Sequence, residues 1–298
     1  MPNLTPFETT FEHKPRSAFV DFFSRLFREK LLGTIGLLIL IFMIIIALLA
    51  TLLATHDVNK QRLVKRLKGP SAEYLLGTDS YGRDFYSRLI YGARISLSVG
   101  IGGSLVAVGI ATLVGGLSGY LGGKSDMLIQ RFVDAWYAFP GLLYLVTFVS
   151  IFGRGLVEII LLMGLYTGLT QSRVVRSAVI AVKVIPYVDS AKAVGCSTWR
   201  TLLKYILPNV TAPIIIIFTT SIGGMVLGEA ALSFLGFGLP PQIPSWGRMI
   251  SWEGRMYMEG YPRLAWLPGL SLTALVFAAN VFGDSMRDLL DPRLHGKS

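Results

Sequence analysis

The chain has 298 residues, 52% of them hydrophobic and only 15% charged, with a net charge of +10. Soluble domains carry about 25% charged residues. The deficit here is concentrated in uninterrupted apolar runs, which excludes an ordinary soluble domain and makes lipid the solvent for much of the chain. The basic residues flank those runs, where they act as topology signals and meet anionic headgroups, so a nucleic-acid partner is not expected.

The first predicted element is a helix over residues 17–30. Phe19, Phe22, Phe23, Leu26 and Phe27 recur at helical spacing, with Asp21, Arg25, Arg28 and Glu29 between them. That pattern fits a helix lying in the membrane interface, and equally one packed on protein. The run Leu31–Ala54 follows. It is longer than a secretory h-region of about 7–15 residues and matches the roughly 20 needed to span hydrocarbon, so it reads as a retained span.

A polar stretch from His56 to Arg94 leads to a second span at Ile95–Leu121, rich in glycine and holding the pair Gly115 and Gly119. Small residues at that spacing let membrane helices approach closely. Further spans are predicted at Ala135–Phe152, with Pro140 inside it, and at Leu156–Thr170. A polar stretch from Gln171 to Tyr205 then separates these from a fifth span at Ile206–Phe237. Gly238–Arg263 is a second polar loop, and Leu264–Phe282 is the sixth span. Asp284 lies at helical pairing distance from Arg287.

Six spans put both termini on one side. Arg25, Arg28 and Lys30, close to the first span, favour a cytoplasmic N-terminus. The domain reading is a cytoplasmic segment at 1–30, a first span at 31–54 and an extracytoplasmic loop at 55–94. A five-helix core follows at 95–286, with a cytoplasmic loop at 171–205, and then a cytoplasmic tail at 287–298.

Little in the chain suggests chemistry. Cys196 is the one cysteine, so no disulfide forms within the chain, and His13, His56 and His295 lack metal-ligand spacing. The segment Gly119–Ser125 superficially resembles a phosphate loop, but Ser118 stands where its first glycine belongs, and it ends a span rather than a strand. No catalytic, cofactor or metal residues are assigned. Glu229 lies within the fifth span, where an ionisable side chain is costly; it could line a translocation path, lie near the outer interface or bond across helices.

The informative stretch is Tyr187–Asn209. Asp189 to Val194 is helix-forming, Gly195 would terminate that helix, and Ser197 is placed to cap a second one. Trp199, Leu202, Leu203 and Ile206 give the second helix an apolar face, and Pro208 opens the fifth span. A helix, a sharp turn and a helix at the membrane surface can dock on a soluble partner.

This stretch resembles the Glu-Ala-Ala loop of bacterial binding-protein-dependent ABC importers. Asp189-Ser190-Ala191 occupies the Glu-Ala-Ala place, Gly195 the glycine, and Leu207-Pro208 the Leu-Pro, with Tyr205 where isoleucine is usual. Three further segments resemble the permeases of the dipeptide, oligopeptide and nickel importers, on the side called the C subunit. They are Gly77-Thr78-Asp79 through Arg94, Leu232–Trp246 with Gly247, and Gly283–Leu294.

The resemblance implies a type I importer transmembrane fold. It implies a second permease subunit, two ATPase subunits that hold ATP and magnesium, and an extracytoplasmic binding protein, all at the bacterial inner membrane. The expected cargo is a peptide, with nickel, opines or glutathione as alternatives in the same family. It places Tyr187, Asp189, Ser190, Ala191, Ala193, Gly195, Leu207 and Pro208 on a coupling helix that meets the ATPase. Asp79, Arg83, Asp84, Arg88 and Trp246 would touch the binding protein, close an outer gate, or form a solvated salt-bridged loop. A channel or secondary transporter is the alternative class, and it would work without an ATPase.

Overall fold

A computed structural model describes residues 18–290, and the side chains of residues 24–290. The described part is helical and contains no β-strand. Helix α1 is Ala18–Glu29 and α2 is Leu31–Leu48, continued by a turn at Ala50–Leu53. Leu26 of α1 is buried and its carbonyl accepts from the Thr34 hydroxyl at 3.0 Å, which ties α1 to α2. Phe19, Phe22 and Phe23, and the tail residues Arg293 and Leu294, lie outside the described side chains.

Helix α3, Phe85–Leu121, runs through the centre of the bundle. It begins ten residues before the predicted second span, because Asp84 caps it: the Ser87 amide donates to Asp84 Oδ2 at 3.0 Å. The predicted third span is not one helix. It is α4, Gly123–Tyr137, and α5, Gly141–Phe152, bent by 87° at the break. Pro140 stands just ahead of α5, where its fixed φ and missing N–H suit a helix start and prevent α4 from continuing.

Helix α6, Leu156–Lys183, continues 13 residues past the predicted fourth span. Its polar extension is held by α4: Arg176 grips Asp126 with two bonds of 2.7 and 2.5 Å, and Arg173 reaches Asp134 at 2.7 Å. The polar connection expected from residue 171 therefore begins only at Val184.

Helices α7, Pro186–Ala193, and α8, Thr198–Thr201, make that connection. A distorted helical run then leads into α9, Thr211–Phe234. The distortion falls on Leu202–Val210 because Pro208 offers no N–H and its ring crowds the preceding turn. The polar loop expected at 238–263 contains a folded helical segment, Trp246–Tyr257, whose first turn is α10, Trp246–Met249. Helix α11, Arg263–Leu290, closes the bundle. Asp284 makes no ion pair with Arg287; one turn on, Asp288 takes Lys30 at 2.6 Å instead.

Among the described residues, four helical stretches are long and apolar enough to cross a membrane: α2, α3, the run Thr198–Phe234, and α11; the bent α4–α5 pair makes a fifth. The remaining expected span, the fourth, is α6, whose 28 residues reach about 42 Å. It packs along α3 at a glycine seam. A Cβ on Gly115 would stand 2.2 Å from the Ser172 carbonyl, and one on Gly168 would stand 2.7 Å from that of Ala107. Only glycine permits this approach, which packing in lipid favours because no hydrophobic drive assembles the helices there.

Candidate functional site

Two structures stand at opposite ends of α9, separated by its 24 residues, about 36 Å. One is a cap built from the loop before α3 and the segment around α10. The other is the turn between α7 and α8.

In the cap, a tight turn at Thr78–Asp84 folds Arg83 back onto Asp79, Nε to Oδ2 at 2.6 Å. Arg83 also donates to Glu253 Oε1 at 2.8 Å, and the Ser80 hydroxyl reaches the same oxygen at 3.3 Å. Arg88 lies 3.5 Å from Asp79 Oδ2 and donates to the carbonyls of Val58 and Pro241. All four charged side chains are buried; Arg88 is 2% exposed. Two acids and two guanidinium groups meet here, and the bonds join segments more than 150 residues apart in sequence. Burial, and then the nearby Asp79 charge, push the Glu253 carboxyl up to about 7. Burial also lowers Arg248, which lies over the Trp252 ring at 5.3 Å.

Asp84 stands beside this network. Its Oδ2 accepts from Ser87 N, Ser87 Oγ and Thr55 Oγ1 at 3.0, 2.5 and 2.9 Å, fastening the end of the first span to the start of α3. Trp246 is buried too. Its indole N–H donates to the Leu89 carbonyl at 2.9 Å, and its amide donates to the Ser96 hydroxyl at 3.3 Å. The five residues expected at an outer surface thus come together, but inward. Their bonds tie the loop before α3 and the start of α3 to the segment around α10, and their burial does not fit a solvated loop.

Glu229 sits in the last turns of α9 and is fully buried. Its Oε1 accepts from the hydroxyls of Ser233 and Ser245, each at 2.7 Å. Ser245 also caps α10 through the Arg248 amide at 3.1 Å. Glu229 therefore bonds from α9 to α10 and faces protein, not a lumen.

At the other end, the α7 helix stops at Gly195 with φ +83°. The Cys196 amide donates to the Ala191 carbonyl at 3.1 Å and the Gly195 amide to that of Lys192 at 2.9 Å. This is a Schellman turn, which calls for a left-handed residue at the glycine position. The Ser197 hydroxyl then accepts from the Arg200 amide at 3.4 Å and opens α8. Val188, Leu202 and Ile206 are buried in one cluster with Ala111 of α3 and with Val175 and Val179 of α6, and Ala191 is buried as well. The expected apolar face of the second helix splits accordingly. Leu202 and Ile206 are buried, while Trp199 and Leu203 are 56% and 58% exposed and join Val194 at 86%. Tyr187 is partly exposed with its hydroxyl on the Tyr205 carbonyl at 3.1 Å, and Asp189, paired with Lys192 at 2.9 Å, stands in solvent. Ser190, Ala193 and Pro208 are exposed and Leu207 is half-buried.

Sequence reasoning missed Glu253, Gly92 and Ser245. Glu253 is one of two acids in the 238–263 stretch and the partner that Arg83 requires. The Ser245 signal was available as a hydroxyl immediately ahead of a helical turn.

The chain is thus a helical bundle with apolar helices long enough to cross a membrane, buried charges at one end and an exposed apolar turn at the other. Residues 111–296 match the family described as binding-protein-dependent transport system inner membrane component, and residues 17–70 match the N-terminal transmembrane domain of oligopeptide transport permease C. The chain belongs to this family of ABC importer permeases. It is 37% identical over 280 residues to the glutathione transport system permease protein GsiD of Pectobacterium atrosepticum, covering 94% of this chain and 92% of that one. It is also 37% identical over 293 residues to the dipeptide transport system permease protein DppC of Alkalihalophilus pseudofirmus, covering 98% and 95%. Its fold is that of a type I importer: an inward-facing structure of the MetNI methionine ABC transporter aligns with a TM-score of 0.54 at 17% identity, covering 68% of this chain and 96% of that chain.

Proposed function

We propose that this chain is one of two permease subunits in an ATP-driven importer that carries dipeptides or oligopeptides across the bacterial inner membrane by alternating access. The observation that carries the reading is the exposed apolar ridge of Val194, Trp199 and Leu203 around the Gly195 turn, in the connection between α6 and α9. One of two ATPase subunits binds there, the other binds the second permease subunit, and the pair hydrolyses ATP. A binding protein delivers the peptide at the opposite face, and both termini lie in the cytoplasm.

The turn acts as a lever. Its inner side is packed on α3 and α6 through Val188, Leu202 and Ile206, so displacement of the turn moves those helices as a body. ATP shifts the transporter only as far as the ATPase binds one state better than the other. The cap opens in one state, and the Asp79, Arg83, Arg88 and Glu253 network is the outer gate that re-forms in the other.

The relative GsiD supports a second reading, in which the cargo is the tripeptide glutathione. The test is uptake into proteoliposomes holding the complex isolated from its native membrane, with its binding protein and ATP. Labelled dipeptide should accumulate, and ATP should be required. Accumulation of glutathione alone would select the second reading. Transport by this chain with no ATPase present would overturn both.

A further inference from the structure

The groove between α2 and α3 has a volume of about 370 Å³, and Ile44, Leu48, Leu97, Ile101 and Leu105 wall it with Arg94 among them. Arg94 is exposed and makes no ion pair, ring contact or side-chain hydrogen bond with the described residues. Its depth follows from the helices. Ser87 accepts from the Thr55 amide at 3.1 Å, which sets those two residues level. Arg94 is seven residues further along α3, about 10 Å into the bundle, and Leu48 is seven residues back along the first span. The guanidinium therefore springs from beside Leu48, the last residue of α2, which is 74% exposed. An unpaired cation beside hydrocarbon is costly, and its long stem lets it reach the headgroup layer.

We propose that this groove holds an anionic phospholipid, its phosphate on Arg94 and one acyl chain along Ile101 and Leu105. Arg94 to Leu105 is about 16 Å of helix, close to the ~15 Å depth of one leaflet. The walls suit a lipid chain better than another helix. Ala47, Ser98 and Gly102 also line it, but the residues most exposed at its mouth, Leu48 and Leu105, are large and branched, whereas protein contacts in membranes favour small ones. Only 28% of α2 is buried inside the chain, and its exposed residues include Leu38, Ile41, Phe42 and Ile45, a surface made for lipid. Ser98 also lines the groove, but its hydroxyl is spent on the Arg94 carbonyl at 2.7 Å, so the guanidinium is the polar group left to recognise a ligand. A planar guanidinium matches a phosphate with two parallel hydrogen bonds.

The test places the complex in nanodiscs of equal parts phosphatidylglycerol and phosphatidylcholine and counts, by native mass spectrometry, the lipids that stay bound. The wild type should retain phosphatidylglycerol preferentially. Arg94→Gln should cut that preference about fivefold, and Arg94→Lys should keep most of it. Leu105→Trp, which fills the groove and leaves Arg94 intact, should lower retention of both lipids. No preference in the wild type, or a wild-type preference in Arg94→Gln, overturns the site. So does efficient cross-linking of Leu105→Cys to another subunit, because a protein would then occupy the groove.

Discussion

Gly92 of α3 lies against the indole of Trp246: a Cβ at Gly92 would stand 2.6 Å from the ring atom Cδ1. The two residues are more than 150 positions apart in sequence, and their contact seats the α10 segment on the bundle. Replacing Gly92 by valine forces the indole out of its bed and breaks its bond to the Leu89 carbonyl. Overpacking of this kind costs about 1–3 kcal/mol. Gly92→Val should lower the unfolding temperature of the purified protein, whereas Gly224→Ala, where a Cβ meets no atom within 4 Å, should leave it level or raise it. Equal unfolding temperatures for Gly92→Val and wild type would contradict this seating.

Asp84 does two jobs with one oxygen. It caps α3 and fastens Thr55, so Asp84→Ala should cost more than the ~1 kcal/mol of an ordinary cap. Hydrogen exchange should rise over residues 85–90 and at Thr55. Asp84→Asn keeps an acceptor and should show much less of the change. Matching exchange in Asp84→Ala and wild type would leave the capping account without support.

The cap should also respond to pH. Burial and the Asp79 charge raise Glu253 from an ordinary 4.5 to about 7. Between those values the folded protein holds a proton that the unfolded chain has released. That stabilisation is complete below about 4.5 and is lost as pH rises through 7. Unfolding temperature should therefore fall from pH 5 to pH 8, and Glu253→Gln, which still accepts from Arg83, should flatten the slope. A slope that survives the substitution assigns it to another group.

These results show what hydropathy conveys and what it hides. The start of the first helix was legible, because Leu31–Ala54 carries no charge and its partners need only be apolar; α2 begins at Leu31 but ends at Leu48, six residues before the expected limit. The start of α3 was not, because Arg88 reads as a loop residue until Asp79 and the carbonyls of Val58 and Pro241 are beside it. The far end of α6 failed for the same reason, its arginines being matched by Asp126 and Asp134 on α4. The Gly195 turn was legible because its determinants are local: a glycine after a helix and a serine before the next. Glu229 was visible as an anomaly, but its serine partners lie on both sides of a turn, which a linear reading does not close.

The Gly195 turn and Trp199 allow rigidity and recognition to be separated. A Cβ on Gly195 meets nothing within 4 Å, so Gly195→Ala pays only the left-handed backbone cost of about 1–2 kcal/mol. That should loosen the turn, leave membrane levels unchanged and reduce ATP-driven transport. Trp199 is more than half exposed, so Trp199→Ser removes little packing and should leave the unfolding temperature alone. If this ridge is where the ATPase docks, an exposed tryptophan is its strongest anchor, and the loss should reduce the copurified ATPase about tenfold or more. A Trp199→Ser protein that retains its full complement of ATPase would move the docking surface elsewhere, whatever Gly195→Ala does to transport. If Gly195→Ala instead transports normally while Trp199→Ser does not, the ridge binds the motor and the turn need not be stiff for the stroke to pass.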